Sequence, residues 1–214
     1  MIYLIDFDKT ISTSCSCNGM VTRFATIDTT EIDAQWEQGL LSTPQAMEMI
    51  FRSLQMDDKQ LLEYISMMTI DPFFLEFLAL CRRNSHPYAI VSDGFDLLIS
   101  ETLRQYTEEP ITIYANQMVY RDDQWNLSFP YFSEETPMQG VSKPLIIKKY
   151  QQLDTVTFIG DGYSDFAAVH VADFVFAKDI LATYCTEQGI PYIAYENFQD
   201  IITYTEAMGN QMIK

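Results

Sequence analysis

Asp6 and Asp8 stand one residue apart after a short apolar run, Met1 to Ile5. The run reads as a buried strand, and side chains alternate faces along a strand. The two carboxylates would therefore share a face if the strand continued to Asp8. Like charges so close repel, a divalent cation facing them removes that cost, and hard oxygen ligands suit Mg²⁺. Farther along, Ser92-Asp93-Gly94 offers a hydroxyl and closely approachable backbone N–H groups, which suit a phosphate oxygen. Lys143 carries a positive charge in the first turn of a helix, where the helix dipole has no use for it, so it serves an anion elsewhere. Asp161 and Asp165 put two more carboxylates on a glycine-punctuated turn suited to completing a metal site. Nucleophile, acid/base, metal ligands and charge neutralisation are together what phosphoryl transfer through an aspartyl-phosphate requires.

These groups need a scaffold that brings strand ends together. Tyr88 to Val91 reads as a second buried strand ending at Ser92-Asp93-Gly94, Ile111 to Tyr114 as a third, and Thr155 to Ile159 as a fourth ending at Gly160. Phe174 to Phe176 and Tyr192 to Ala194 follow as further strands. Helices are expected from Asp71-Pro72 to Arg83, Asp96 to about Tyr106, Lys143-Pro144 to Tyr150, near Ser164, Ile180 to Gln188, and near Phe198 to Met208. Alternating strands and helices predict an α/β fold with a doubly wound parallel sheet. Gln117 to Phe129 alternates around Asp122-Asp123 and predicts a β-hairpin. Between the first strand and Asp71 no strand pattern occurs; helical patterns cover Met20 to Phe24, Glu31 to Gln38 and Pro44 to Leu54, with Thr43 as N-cap, and another helix starts at Asp57-Asp58. The expected organisation is a core of residues 1–12 and 71–214 with a small helical subdomain, 13–70, inserted. In open sheets of this kind ligands bind beyond the carboxyl ends of the strands, where the polar signatures fall.

Composition narrows the partners. The 214 residues are 48% hydrophobic and 20% charged, an ordinary globular composition with room for one core and an insert. A formal charge of −17 repels phosphate backbones and argues against nucleic acid or an anionic membrane as partner. A small phosphorylated metabolite would need local cations, from metal and lysine, to enter that field. No apolar run of about 18 residues predicts a membrane span, and the start has no basic stretch ahead of an apolar one, so no signal peptide is expected. Cys15, Cys17, Cys81 and Cys185 form no zinc pattern, the two histidines, His86 and His170, are too few for a histidine metal centre, and reduced thiols in the cytoplasm are the expectation.

Asp6-Phe7-Asp8-Lys9-Thr10, Ser92-Asp93-Gly94, Lys143-Pro144 and Gly160-Asp161-Gly162-Tyr163-Ser164-Asp165 resemble, in order and spacing, the four motifs of the haloacid dehalogenase superfamily. The insert after the first motif is similar to the helical cap of its phosphoserine-phosphatase-like branch. The stretch from Gly160 to Lys178 is most similar to methionine-salvage phosphatases acting on a methylthiopentenyl phosphate. The resemblance implies that Asp6 attacks phosphorus and that Asp8 protonates the leaving alcohol and then deprotonates water. It implies Mg²⁺ between the Asp6 carboxylate, the Asp8 carbonyl and Asp161. Ser92 and the Gly94 backbone would hold phosphate oxygens; Asp93, grouped with them at the phosphate-binding stretch, either tunes the site or caps a turn, and by its residue type the turn is the expectation. Lys143 would neutralise the phosphoryl group and Asp6, and Asp165 would orient Lys143 or a metal-bound water.

Departures from the pattern bear on the substrate. Phosphoserine phosphatases carry a glutamate about nine residues past the nucleophile; this sequence has Cys15 there, which weakens a phosphoserine reading. Lys9 is expected to be a solvated or salt-bridged neighbour, His170 a surface residue, and Met47, Met49, Met56, Met67 and Met68 core filler, with Trp36 and Arg23 as substrate-contact candidates in the insert. The expected activity is Mg²⁺-dependent hydrolysis of a small phosphomonoester, a methionine-salvage-type sugar phosphate first, phosphocholine-like or phosphoserine-like esters next. Phosphotransfer to an alcohol, or a catalytically silent domain that binds a phospholigand, are the alternatives.

Overall fold

The computed structural model of the protein describes residues 1–212. Strand β1 (Ile2–Ile5) leads into four helices, α1 (Ser16–Phe24), α2 (Thr30–Glu37), α3 (Thr43–Phe51) and α4 (Asp58–Ile65). Helix α5 (Phe74–Arg83), β2 (Tyr88–Phe95), α6 (Asp96–Arg104), β3 (Ile113–Arg121) and β4 (Gln124–Ser128) build one half of the sheet. The other half is α7 (Lys143–Gln151), β5 (Val156–Gly160), α8 (Phe166–Val169), β6 (Phe174–Ala177), α9 (Asp179–Gln188), β7 (Ile193–Ala194) and α10 (Phe198–Met212).

The seven strands lie in the order β4-β3-β2-β1-β5-β6-β7, all parallel except β4. The chain winds outward from β1 to one edge, returns, and winds to the other, so β1 and β5 flank the topological switch point. Residues alternate across β1 as the pleat requires. Tyr3 and Ile5 face a core closed by α5, α6 and α10, while Ile2 and Leu4 face one closed by α7, α8 and α9. Both faces of the central strands are thus buried, which explains their near-continuous apolar runs.

Several local expectations change. β1 stops at Ile5, and Asp6 and Asp8 lie beyond it rather than on one strand face. Lys9 takes a left-handed conformation (φ 57°), and the N–H groups of Thr10, Ile11 and Ser12 all donate to the Phe7 carbonyl, so the chain turns back instead of extending. β2 runs through Ser92-Asp93-Gly94 to Phe95, with a register shift against β3 between Val91 and Phe95. The third strand and the hairpin are one element: β3 pairs with β2 at its start and antiparallel with β4 at its end, around a turn in which Asp122 and Asp123 both have positive φ. Ser42, not Thr43, caps α3, in a reciprocal capping box with Gln45. The Asp71 carboxylate lies ahead of α5 and accepts from the N–H groups of Phe73 (2.8 Å) and Phe198 (3.2 Å), pinning α10 to the start of α5. Met56 and Met68 are core, but Met49 and Met67 are exposed.

The inserted helices have a small core of their own, Val21, Ile32, Ala46 and Ile50, and share a larger one with the sheet through Met20, Phe51, Leu61 and Tyr64. The chain enters and leaves them side by side: Ser12 and Ile70 form an antiparallel bridge, Thr13 N–H donates to the Thr69 carbonyl (3.0 Å), and Asp71 N–H donates to the Ile11 carbonyl (2.8 Å). Among the described residues no helix is long and apolar enough to cross a membrane.

Candidate active site

Sheet register assembles the site. Ile5 pairs with Ile90 on one side and Ile159 on the other, so the segment after β1, the last residues of β2 and the segment after β5 come together at one edge. They carry Asp6 and Asp8, Ser92 to Gly94, and Asp161 to Asp165.

Lys143, the first residue of α7, points into this cluster and is fully buried. Its Nζ donates to Asp6 Oδ1 (2.6 Å), Asp165 Oδ1 (2.5 Å) and Ser164 Oγ (3.2 Å), which uses all three ammonium hydrogens. Burial works against the Lys143 charge, but Asp165 and Asp6 outweigh it and raise its pKa. The second oxygen of Asp165 accepts from the N–H groups of Asp161 (3.0 Å) and Gly162 (3.1 Å). Asp165 is thus a fully engaged bracket between lysine and turn, and of the two roles expected for it the contacts are those of orienting Lys143. A side chain at Gly160 would collide with this carboxylate, so the glycine allows the turn to close on it.

Asp8 is half-buried, and its Oδ1 accepts from Ser16 N–H at the start of α1 (2.5 Å). Tyr64 of α4 holds that helix start by donating to the Ser16 carbonyl (2.8 Å). Burial raises the Asp8 pKa, partly offset by the Ser16 bonds. The other oxygen, Oδ2, faces Gly94: a Cβ there would lie 3.0 Å from it, 3.2 Å from Ser92 Oγ and 4.0 Å from Cys17 Sγ. Ser92 Oγ accepts from Gly94 N–H (3.1 Å). Asp8 Oδ2, Ser92 Oγ and Cys17 Sγ therefore lie close together around Gly94. Cys15 and Cys17 are unpaired, and burial pushes both thiols up, Cys15 to about 12.

Asp93 departs from its expected turn-capping role. Its Oδ2 accepts from Thr43 Oγ1 (2.6 Å) and its Oδ1 from Val141 N–H (2.8 Å), while Asn116 Nδ2 donates to its backbone carbonyl (2.7 Å). It joins the inserted helices to the segment that delivers Lys143. Trp36 packs edge-on against Tyr163 in the turn after β5, with ring centroids 6.1 Å apart. Arg23 instead donates to Met67 Sδ and lies over the Phe24 ring, within the inserted helices. His170 is exposed and hydrogen-bonded to Tyr184 Oη.

The donor set fits a hard divalent cation. Oxygens of Asp6, Asp161 and Asp165 lie within 4.8 Å of one another, and the Asp8 carbonyl accepts no hydrogen bond among the described residues. With both Asp165 oxygens engaged and Asp161 Oδ1 accepting from Thr10 Oγ1 (3.4 Å), Asp6 Oδ2, Asp161 Oδ2 and the Asp8 carbonyl are the oxygens left without a hydrogen bond among the described residues. Lys143 is the one fully buried cation among the described residues, set against four carboxylates. Burial raises Asp6 well above the carboxylate range, Lys143 opposes the rise, and Asp165 and Asp161 reinforce it. Burial and Asp165 push Asp161 up to about 7. That excess of buried negative charge is what a bound Mg²⁺ would relieve.

Thr43, Ser16 and Tyr64 were not legible as site residues. Thr43 read as a helix cap, and nothing in a hydroxyl next to a proline points to a carboxylate 50 positions away. Ser16 and Tyr64 follow no motif spacing at all.

Comparison with known proteins agrees with this geometry. A family model described as haloacid dehalogenase-like hydrolase matches residues 4–170. The chain is 29% identical over 214 residues to the 2-hydroxy-3-keto-5-methylthiopentenyl-1-phosphate phosphatase of Exiguobacterium sibiricum, covering 95% of each. It is 29% identical over 205 residues to the phosphatase of the same name from Microcystis aeruginosa, covering 95% of this chain and 96% of that one. Among solved structures, a phospho-aspartyl intermediate analogue of phosphoserine phosphatase superposes with a TM-score of 0.73 at 18% identity, covering 95% of this chain and 97% of the other. A substrate-bound phosphoserine phosphatase complex gives 0.71 at 17%, with the same coverage. The structural matches speak for the fold, and the family model covers most of the chain together with all four site segments: the chain belongs to the haloacid dehalogenase-like hydrolase family.

Proposed function

We propose that the protein is a Mg²⁺-dependent phosphatase that hydrolyses a small phosphorylated metabolite through a phosphoryl group held on Asp6. The observation that carries this reading is the buried Asp6–Lys143–Asp165 chain, with Asp8 Oδ2 beside Gly94 and Ser92. In this reading residues 13–70, with α1–α4, are a cap over a core of residues 1–12 and 71–214.

Lys143 holds Asp6 through Oδ1, and Oδ2 takes no hydrogen bond among the described residues. An Asp6 oxygen attacks phosphorus, the Asp6–phosphorus bond forms, and the ester P–O bond breaks. Asp8 passes its proton to the departing oxygen, and burial favours its protonated form against the opposing Ser16 bonds. Water then attacks phosphorus, Asp8 takes its proton, and the Asp6–phosphorus bond breaks to release phosphate. Ser92 Oγ and the Gly94 N–H lie where phosphate oxygens would be held, and Lys143 balances charge on the transferred group. Mg²⁺, held by Asp6, Asp161 and the Asp8 carbonyl, would supply further neutralisation of that charge. The cap keeps bulk water from the site during transfer and opens for release.

For the substrate, support comes from the relatives named as methylthiopentenyl-phosphate phosphatases and from the surroundings of Asp8. Cys15 and Cys17, held as neutral thiols, stand on the cap side of Asp8, an environment for an uncharged leaving group rather than an amino acid. The test is phosphate release from a panel containing 2-hydroxy-3-keto-5-methylthiopentenyl-1-phosphate, phosphoserine, phosphocholine and p-nitrophenyl phosphate, with and without Mg²⁺, for wild type and Asp6→Asn. Mg²⁺-dependent release that vanishes in the variant and favours the methylthio ester is expected. Equal or better turnover of phosphoserine would sink the substrate assignment, and release that survives Asp6→Asn would sink the mechanism.

A further inference from the structure

We propose that Thr43 is a positioning residue that latches the cap onto the core through Asp93. The inference rests on reading α1–α4 as a cap over a phosphatase site, but the contacts that carry it are independent of the chemistry. Thr43 is the first residue of α3 and only 3% exposed. Its hydroxyl is not needed by its own helix: Ser42 caps α3, with Gln45 N–H donating to Ser42 Oγ and Ser42 N–H donating to Gln45 Oε1. The Thr43 hydroxyl is instead spent across the boundary between cap and core, donating to Asp93 Oδ2 at 2.6 Å. Its oxygen accepts in turn from Trp36 Nε1 (3.0 Å).

The core side of the bond is equally specific. Asp93 sits between Ser92 and Gly94, and its other oxygen accepts from Val141 N–H, two residues before Lys143. A second backbone bond runs alongside, with Thr43 N–H donating to the Met138 carbonyl (2.8 Å). Trp36, at the head of the relay, touches the turn of Asp161 to Asp165 through Tyr163. One short chain, Trp36 to Thr43 to Asp93 to Val141, thus links two cap helices to the end of β2 at Ser92, to the segment that leads into Lys143 and, through Tyr163, to the turn after Asp161. Hydrogen bonds to a charged acceptor are the stronger kind, and a half-buried carboxylate stripped of a donor keeps its desolvation cost. The closed arrangement is favoured accordingly.

A latch of this kind acts on the fraction of molecules in the closed state, and apparent affinity scales with that fraction. Saturating substrate restores closure. Thr43→Val, which keeps the shape and removes the hydroxyl, is therefore expected to raise KM for p-nitrophenyl phosphate about tenfold with kcat within about twofold of wild type. Thr43→Ser is expected to restore KM. Hydrogen–deuterium exchange on the ligand-free protein reads the same event without activity: peptides spanning residues 36–43 and 138–143 exchange about tenfold faster in Thr43→Val, return to wild-type rates in Thr43→Ser, and leave β1 and β5 peptides unchanged. If Thr43→Val does not fold, Trp36→Phe keeps the ring against Tyr163, removes the N–H given to Thr43, and should show a smaller rise in KM and in exchange. A kcat loss at unchanged KM, unaltered exchange at 138–143, or a Thr43→Ser protein as impaired as Thr43→Val overturns the latch. Absence of turnover in the wild type overturns the phosphatase reading instead, and the exchange comparison still decides the latch.

Discussion

The Lys143 ammonium and the Asp165 carboxylate meet at 2.5 Å with both side chains fully buried, 22 residues apart in the chain. A buried lysine with one partner removed is costly, but Lys143 has a second carboxylate, Asp6, at 2.6 Å. Asp6→Asn and Asp165→Asn should therefore each fold, with turnover abolished in the first and kcat reduced about a hundredfold in the second, where lysine and turn lose their bracket. The double variant should lose more stability than the two singles added together, by about 3 kcal/mol, because it alone leaves the ammonium without a charged partner. Denaturant unfolding of all four proteins checks it, and additive losses would contradict the shared-partner account.

Mg²⁺ and pH should be linked in stability. Asp6, Asp8 and Asp161 all bind their protons more tightly folded than unfolded, chiefly through burial, Asp161 to about 7. A carboxyl with a raised folded pKa contributes stability below its unfolded value near 4 and loses it as pH rises through the folded value. Lys143, raised by its carboxylates against burial, keeps its contribution throughout this window. Without divalent cations the melting temperature should fall between about pH 5 and pH 7.5, and added Mg²⁺ should raise it more at the higher pH. A metal effect equal at both pH values would place the ion elsewhere.

Gly94→Ala should inactivate without unfolding. The added methyl carbon would stand 3.0 Å from Asp8 Oδ2 and 3.2 Å from Ser92 Oγ, pushing apart the acid and the expected phosphate contact. A kcat/KM loss of at least about a hundredfold is expected, with the melting temperature within a few degrees of wild type. Near-normal kinetics would show that the reaction does not take place between these groups.

The thiols beside the site should be slow to react. Burial raises Cys15 to about 12 and raises Cys17 as well, so the thiolate is a very minor species near pH 8. Iodoacetamide should modify both at least about a hundredfold more slowly than a free thiol in the native protein, and at ordinary rates after denaturation. Rapid native labelling, located by peptide mapping, would contradict the burial that holds both thiols protonated beside Asp8.

Local pattern carried much of the architecture. The apolar run before Asp6, the alternation around Asp122-Asp123 and the strand–helix succession after Asp71 each depend on neighbours within one element, and each appears where expected. Boundaries failed where longer-range forces act. β2 runs on past Val91 because β3 pairs with it as far as Asn116, and Asp6 and Asp8 share no strand face because β1 ends with its apolar run at Ile5 and the chain turns back at Lys9. Met49, expected as core filler, sits on α3 but faces outward, since which side of an inserted helix is covered depends on what packs there, and Met67 lies exposed past the end of α4.

For the site, the sequence by itself determined the chemical inventory: Asp6, Asp8, Ser92, Lys143, Asp161 and Asp165 are recognisable from residue type, order and position after apolar runs. Only the tertiary structure decided their partners. Lys143 reaches Asp6 across 137 residues, and Thr43 reaches Asp93 across 50, because β1 lies between β2 and β5 in one particular register and the inserted helices fold back over that edge. Periodicity and capping signals extend over a few residues, whereas strand order and register follow from burying both faces of the sheet at once. The proton-holding state of the carboxylates belongs to the same level, since burial, absent from any list of residues, is its largest cause.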